Sequence, residues 1–332
     1  MKKIPEGICL STLKAFKGTG YSPAARKRLW SGAKVPPVLP FDRAAFQSFR
    51  GENSGRMSIS GIQEKISLRL EGNALVPTTR DGTHLLKPVP IAMAAALELS
   101  DDVPANEHVT MQLASQLFQV DAAPCGIIFF PDGAPALVAR RFDWKTGAKL
   151  RQEDFCQLSG RSMQTTGRNF KYEGSYEECG RILRSFCPAW RIGIERLFRQ
   201  IVFNYVTGNG DAHLKNFSLL ETASGDHALS PAYDLLCTTL HLPSESRMAL
   251  ELFGNNFETP FFQANGFHGL ADFMELANRF GIADGVASAF LRSFEDKRNE
   301  VEGLVGRSFM SKAAKDRYLE VFEDRLLAIR QR

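Results

Sequence analysis

The chain has 332 residues, 44% of them hydrophobic, enough to bury a substantial core and long enough for two lobes. A formal net charge of +4 is too small a basic excess to signal nucleic-acid binding on its own. The six cysteines form no Cys-x-x-Cys pair, the start of the chain lacks a signal-peptide apolar run, and no stretch approaches membrane-spanning length, so reduced thiols, no zinc and a cytoplasmic location are expected.

Residues 1–50 are the least legible part. Tyr21-Ser22-Pro23 predicts the opening of a short helix that carries Arg26, Lys27 and Arg28 on a solvated face, followed by Leu29 and Trp30. The proline-rich residues 34–40 read as an extended connector. Strand patterns begin at residues 66–70, where apolar and polar positions alternate. Glu71-Gly72-Asn73 then turns the chain, residues 74–77 pair back, and residues 84–87 form a third strand. A helix is expected over residues 107–118 with Val109, Leu113 and Leu117 as its apolar stripe. Residues 125–130 and 136–140 are again strand-like, separated by Pro131-Asp132-Gly133. The second half reads as mostly helical. Ile194, Leu197, Phe198, Ile201, Val202 and Tyr205 recur on one face, and further helices are expected over residues 269–280, with Gly281 at the C-cap, and 312–330.

The first of these helices runs into Gly208-Asn209-Gly210-Asp211-Ala212-His213-Leu214-Lys215-Asn216. Asp211 and Asn216 have the Asp-x-x-x-x-Asn spacing of a kinase catalytic loop, in which the Asp takes a hydroxyl proton and the Asn holds a metal. Residues 217–220 and 228–230 predict a β-hairpin around a turn-rich 221–227, which would return Asp234 to the side of Asn216. Two converging oxygen ligands suit Mg²⁺, which keeps several waters and borrows its other ligands from nucleotide phosphates. An isolated Asp beside a Gly is ordinarily a turn residue. The buried helix leading into the loop, and the hairpin leading out of it, favour ATP-dependent phosphoryl transfer instead.

In the first half, residues 57–65 form a Ser/Gly loop just before the first clear strand, able to offer backbone N–H groups to phosphates. The loop is neither Gly-x-Gly-x-x-Gly nor a Walker loop, and an ordinary turn is the competing reading. Lys87 is the candidate phosphate-neutralising lysine. Glu107 either pairs with Lys87 or serves only as a favourable acid in the first turn of its helix.

These residues resemble the HipA-like serine/threonine kinases, toxins of bacterial toxin–antitoxin systems. The resemblance runs over Ser60-Gly-Ile-Gln-Glu-Lys65, His84-Leu-Leu-Lys87, Asn106-Glu107, Arg141-Phe-Asp143, Gln152-Glu-Asp-Phe155, the 208–216 loop with Phe217-Ser218, and Pro231-Ala-Tyr-Asp234. It implies an α+β, two-lobed protein-kinase-like fold, with an N-terminal extension over 1–55, a β-rich N-lobe over 56–150 and a helical C-lobe over 151–332. Implied roles are Asp211 as catalytic base, Asn216 and Asp234 on Mg²⁺, and Lys87 on the ATP phosphates. Ser60, Gly61, Gln63, Lys65, His213 and Asn216 would also contact ATP, with Phe142, Asp143 and Gln152 near adenine and ribose. Only some fifty-five residues precede Ser58, so the chain looks like the short HipT type. That type implies a separate HipS-like protein, a HipB-like DNA-binding partner through which DNA is met only indirectly, and autophosphorylation at Ser58 and Ser60. An aminoacyl-tRNA synthetase, for the short type tryptophanyl-tRNA synthetase, is the implied substrate.

Two rivals remain at this level. Gly210-Asp211-x-His213-x-x-Asn216 equally fits the loop of aminoglycoside and choline kinases, so the loop alone does not separate a protein kinase from a small-molecule kinase. A non-catalytic co-repressor module is the other, and intact Lys87, Asp211, Asn216 and Asp234 give it no positive support.

Overall fold

The computed structural model describes residues 4–52, 64–92, 94–145 and 148–331. The chain forms two compact units. The first comprises Met1–Gln112, Ala123–Lys149 and Leu304–Lys315, and the second Leu113–Ala122, Leu150–Gly303 and Asp316–Arg332.

The first unit opens with the short strands β1 (Glu6–Ile8) and β2 (Ala15–Thr19) and the helices α1 (Pro23–Trp30) and α2 (Arg43–Glu52). Ser22 caps α1, accepting from the Ala25 N–H, with Pro23 in its first turn where a missing N–H costs nothing. The sheet follows: β3 (Ile66–Glu71), β4 (Ala74–Pro77), β5 (His84–Pro88), then helix α3 (Val103–Gln116), β6 (Cys125–Phe129) and β7 (Pro135–Arg140). Its strand order is β4-β3-β5-β7-β6, antiparallel throughout, with Ile66 opposite Leu86 and Lys87 opposite Leu137. The small hairpin β8 (Trp144–Lys145) and β9 (Ala148–Lys149) comes after it.

Residues 34–40 do more than connect, because the Phe129 N–H donates to the Pro37 carbonyl and the Leu39 N–H to the Phe129 carbonyl. The illegible first fifty residues are an integral layer of this unit. Leu10, Tyr21, Leu29, Trp30 and Phe46 share one buried cluster with Ile66, Leu86 and Val138 of the sheet. Polar ties fix that layer: the Tyr21 hydroxyl donates to the Ile127 carbonyl at 2.8 Å, and His84 Nε2 lies 2.8 Å from the Leu29 carbonyl.

Helix α3 begins at Val103, four residues before the expected start. Every residue from 103 to 114 is buried, so it has no single apolar stripe. Asn106, Glu107, His108, Thr110 and Gln112 are all inside and so need polar partners there.

The second unit contains β10 (Gln152–Asp154), α4 (Phe155–Leu158), α5 (Met163–Thr166), α6 (Tyr176–Phe186), α7 (Trp190–Val206), β11 (Ser218–Glu221) and β12 (His227–Leu229). Helices α8 (Pro260–Asn265), α9 (Leu270–Arg279), α10 (Asp284–Asp296), α11 (Arg298–Gly306) and α12 (Lys312–Arg330) complete the order. β11 and β12 form the expected hairpin, and β10 adds to it with Asp154 opposite Ser218. Gly281 follows α9 in the left-handed region (φ 68°) that ends many helices.

Candidate active site

The loop between α7 and β11 is held at nearly every residue. Ile194, Leu197, Phe198, Ile201, Val202 and Tyr205 of α7 are buried, so the helix delivering the loop is a fixed element. Gly208 turns the chain with φ 71°, and a Cβ there would lie 2.5 Å from Val321 Cγ1. Asn209 is buried. Its Nδ2 donates to Asn204 Oδ1 at 2.9 Å and to the Asp234 carbonyl at 3.4 Å, while its Oδ1 accepts the Asp211 N–H at 3.3 Å. The Gly210 N–H donates to Thr238 Oγ1 at 2.7 Å. A Cβ on Gly210 would sit 2.2 Å from the Ser246 carbonyl oxygen, so only glycine fits. The Tyr176 hydroxyl donates to the Ala212 carbonyl at 2.9 Å.

Beyond Asp211 the chain makes one 3-10 turn, Leu214–Asn216, closed at both ends: the His213 N–H donates to Asn216 Oδ1 at 3.1 Å and the Asn216 N–H to the His213 carbonyl at 2.9 Å. Lys215 Nζ reaches Asp154 Oδ2 at 2.8 Å and so ties the turn to β10. The hairpin returns beside it. The Ser218 and Ser230 hydroxyls lie 2.9 Å apart, Gln152 Nε2 donates to Ser218 Oγ at 2.9 Å, and the Tyr233 hydroxyl donates to the Lys215 carbonyl at 2.9 Å. Asp234 is therefore next in line at the loop, in the left-handed region (φ 54°), which Asp tolerates better than most residues.

Asp211 itself is part-exposed, with 23% of its side chain accessible. The Tyr172 hydroxyl donates to its Oδ1 at 2.6 Å, and His213 Nε2 is 4.0 Å from the same oxygen. Burial pulls the His213 pKa down to about 4 against the opposing charge of Asp211, so the ring is neutral near pH 7. Glu245 lies by the same loop. Its Oε2 is 2.7 Å from where a Gly210 Cβ would stand, and burial, with a smaller push from Asp211, lifts its pKa to about 7.

In the other unit Lys87 of β5 forms a 2.5 Å ion pair with Glu107, and their side chains are only 7% and 2% exposed. Because α3 starts at Val103, Glu107 stands beyond its first turn, and the reading of it as a mere first-turn acid is corrected. Asp143, just after β7, is buried and accepts two bonds from Arg141, at 2.9 and 2.6 Å. Phe142 lies between them and is part-exposed. Lys65 is half-buried at the entry to β3. Its neighbour Glu64 is held by Gln47 at 2.9 Å and Arg50 at 3.0 Å, both from α2. Ser58, Ser60, Gly61 and Gln63 lie outside the described residues.

The second unit thus brings together Asp211, His213, Asn216 and Asp234, with Gln152 one hydroxyl away, whereas Lys65, Lys87, Phe142 and Asp143 belong to the first. Sequence reasoning missed Tyr172, Thr238, Glu245 and the Lys215–Asp154 pair. None carries a local signal, since each meets the loop only through folding.

Residues 57–301 match the model of the HipA-like C-terminal domain. The chain belongs to this family. Among curated relatives, this HipA-like chain is 26% identical to a Haemophilus influenzae protein described as a candidate kinase, over 96% of this chain and 95% of that one. It is 31% identical to the candidate kinase Y4mE of Sinorhizobium fredii, over 74% of this chain and 59% of the relative. It is 29% identical to the serine/threonine-protein kinase toxin HipA of Shewanella oneidensis, over 59% of this chain and 47% of the relative. The chain therefore spans about half the length of those last two. Among solved structures, Shewanella oneidensis HipA, in complex with HipB and operator DNA, superposes with a TM-score of 0.58 at 21% identity, covering 88% of this chain and 72% of that one. The Helicobacter pylori proinflammatory kinase CtkA gives 0.52 at 12% identity, covering 79% and 93%. These likenesses establish the fold, a β-rich N-terminal part and a helical C-terminal part of kinase type. At the coarse level the chain is a HipA-like kinase.

Proposed function

We propose that this chain is an ATP- and Mg²⁺-dependent serine/threonine protein kinase acting as the toxin of a toxin–antitoxin system. The observation that carries the reading is the Asp211–Asn216 loop, fixed residue by residue between α7 and a hairpin that returns Asp234, with the Asp211 carboxylate left part-exposed.

The donor set fits Mg²⁺. Asn216 offers an amide oxygen and Asp234 a carboxylate, both hard oxygen ligands of the kind this ion takes. Bound Mg·ATP supplies the phosphoryl group and the metal charge that neutralises it. Asp211 would take the acceptor hydroxyl's proton and Asn216 and Asp234 would hold the metal, while Lys87, paired with Glu107, would serve as the phosphate-neutralising lysine. The neutral His213 packs beside Asp211 without adding positive charge that would weaken a base.

The finer reading follows the family resemblance. The acceptor is a serine of an aminoacyl-tRNA synthetase, with tryptophanyl-tRNA synthetase implied by the short type. Ser58 and Ser60 are phosphorylated by the chain itself, adding negative charge beside the phosphate site and restraining the toxin. A HipB-like DNA-binding protein and a small HipS-like protein are the partners; the complex of the Shewanella protein with HipB supports the first.

The test is phosphoproteomics after brief expression of wild type and Asp211→Asn, with intact mass of each purified chain after incubation with Mg·ATP. Removing a general base costs about 10²–10⁴-fold, so the variant should add no phosphate to itself or to any target. Equal phosphorylation by both proteins refutes the assignment.

A further inference from the structure

Residues 167–176 reach the catalytic loop from a distance and hold it by two tyrosines. Gly167 (φ 90°) and Gly174 (φ 128°) bracket the segment and give it turns that L side chains rarely make. Between them one 3-10 turn, Phe170–Tyr172, presents Tyr172, and Ser175 then caps α6 by accepting the Glu178 N–H. The two tyrosines do different work. Tyr176 is 1% exposed, and its hydroxyl donates to the backbone carbonyl of Ala212, a bond that shapes the loop. Tyr172 is 38% exposed, and its hydroxyl donates at 2.6 Å to the carboxylate of Asp211 itself. Its ring is steadied from two sides. The His213 ring meets it edge-on at 5.3 Å between centroids, and Lys171 Nζ lies 4.7 Å from its centre.

On the kinase reading above, on which this inference rests, we infer that Tyr172 is a positioning residue. Its hydroxyl engages Oδ1 of Asp211 and fixes the carboxylate so that Oδ2 faces the acceptor. In the transfer step the acceptor's O–H proton passes to Oδ2. The acceptor oxygen bonds to phosphorus as the bond between that phosphorus and the departing nucleoside diphosphate breaks, so atoms and charge balance. A neutral donor suits this task. A charged one in the same place would hold the carboxylate equally well but would weaken it as a base. Burial and the Asp211 hydrogen bond push the Tyr172 hydroxyl well above the ordinary tyrosine range, so it keeps its proton and remains a donor.

The test uses the full chain with Mg·ATP and a degenerate serine/threonine peptide mixture as acceptor, comparing wild type, Tyr172→Phe and Asp211→Asn. Tyr172→Phe deletes one oxygen from a part-exposed ring and leaves its packing. A hydrogen bond to a charged group is worth about 1.5–3 kcal/mol, so kcat should fall by about ten- to a hundredfold. KM for ATP and the thermal midpoint should stay at their wild-type values, a split that a merely structural role would not give. A Tyr172→Phe protein that turns over at or above the wild-type rate overturns the positioning role and leaves the kinase assignment standing. So does one whose kcat falls only together with its thermal midpoint. A wild-type chain that transfers no phosphate overturns the kinase assignment and the inference with it.

Discussion

The Lys87–Glu107 pair is the place where the fold's energetics are most exposed to a single change. Both side chains are nearly inaccessible, and Nζ and Oε1 are 2.5 Å apart. The surroundings are apolar enough that burial, with a smaller push from Glu107 itself, lifts the nearby Cys125 thiol to about 12. In such a place a lone charge is costly. Removing one partner of a buried ion pair destabilises by about 3–5 kcal/mol, whereas replacing both with apolar residues of similar volume is often nearly neutral. Glu107→Leu should therefore cost the first unit about 3–5 kcal/mol, and Lys87→Met a similar amount. At roughly 2–4 °C per kcal/mol for a body of this size, either change lowers the midpoint by on the order of 10 °C. The double variant should lose less than either single variant, so that the coupling between the two positions exceeds the cost of either change alone. Because the two units need not melt together, the measurement should follow the first alone. Trp30 is fully buried there, so tryptophan fluorescence during denaturant unfolding in a Trp190→Phe background reports that unit. If the losses of the single variants simply add in the double, or if Glu107→Leu unfolds with the wild type, the pair is not the buried, coupled element argued here.

Three further outcomes follow from the loop and from buried acids and histidines. Gly210→Ala should lower phosphoryl transfer by about 10²-fold, the usual cost of a displacement of about 1 Å, because its Cβ would stand 2.2 Å from the Ser246 carbonyl and push Asp211 aside. Steady-state kinetics on a variant with wild-type circular dichroism checks this, and undiminished turnover would sink it. Burial holds His84, His108 and His213 at about 4, below the ordinary 6.5, so their contribution to stability is complete above pH 6.5 and drains away as pH falls toward 4. Glu245 has the opposite sign. Its folded pKa near 7 lies above the ordinary 4.5, so stability falls as pH rises through that window. Glu245→Gln should leave unfolding free energy unchanged below pH 4.5 and raise it by on the order of 1 kcal/mol above pH 7, read from denaturant titrations at both ends. An equal effect at both ends would refute the burial argument.

Local pattern in the sequence determined a good deal. The α7 stripe, the β11–β12 hairpin, the strands β3, β4 and β5 and the β6–β7 pair were readable because periods of 3.6 and 2 residues, and turns rich in Gly, Asn and Asp, are short-range properties. The order of chemistry-bearing residues along the 208–234 stretch was equally visible, since a loop and its hairpin fold back on themselves within a few residues.

Tertiary structure decided the rest. Strands β1 and β2 are short and mostly exposed, so no alternation announces them, and α2 buries only Phe46. Helix α3 is buried on every face, which erases the stripe that would have marked its start. Tyr172 lies 39 residues before Asp211, and Thr238 lies 28 after Gly210. A single hydroxyl meeting a single carboxylate across such a span leaves no periodic trace in the chain. The fold, setting the Phe170–Tyr172 turn against the Leu214–Asn216 turn and Thr238 against Gly210, creates these contacts.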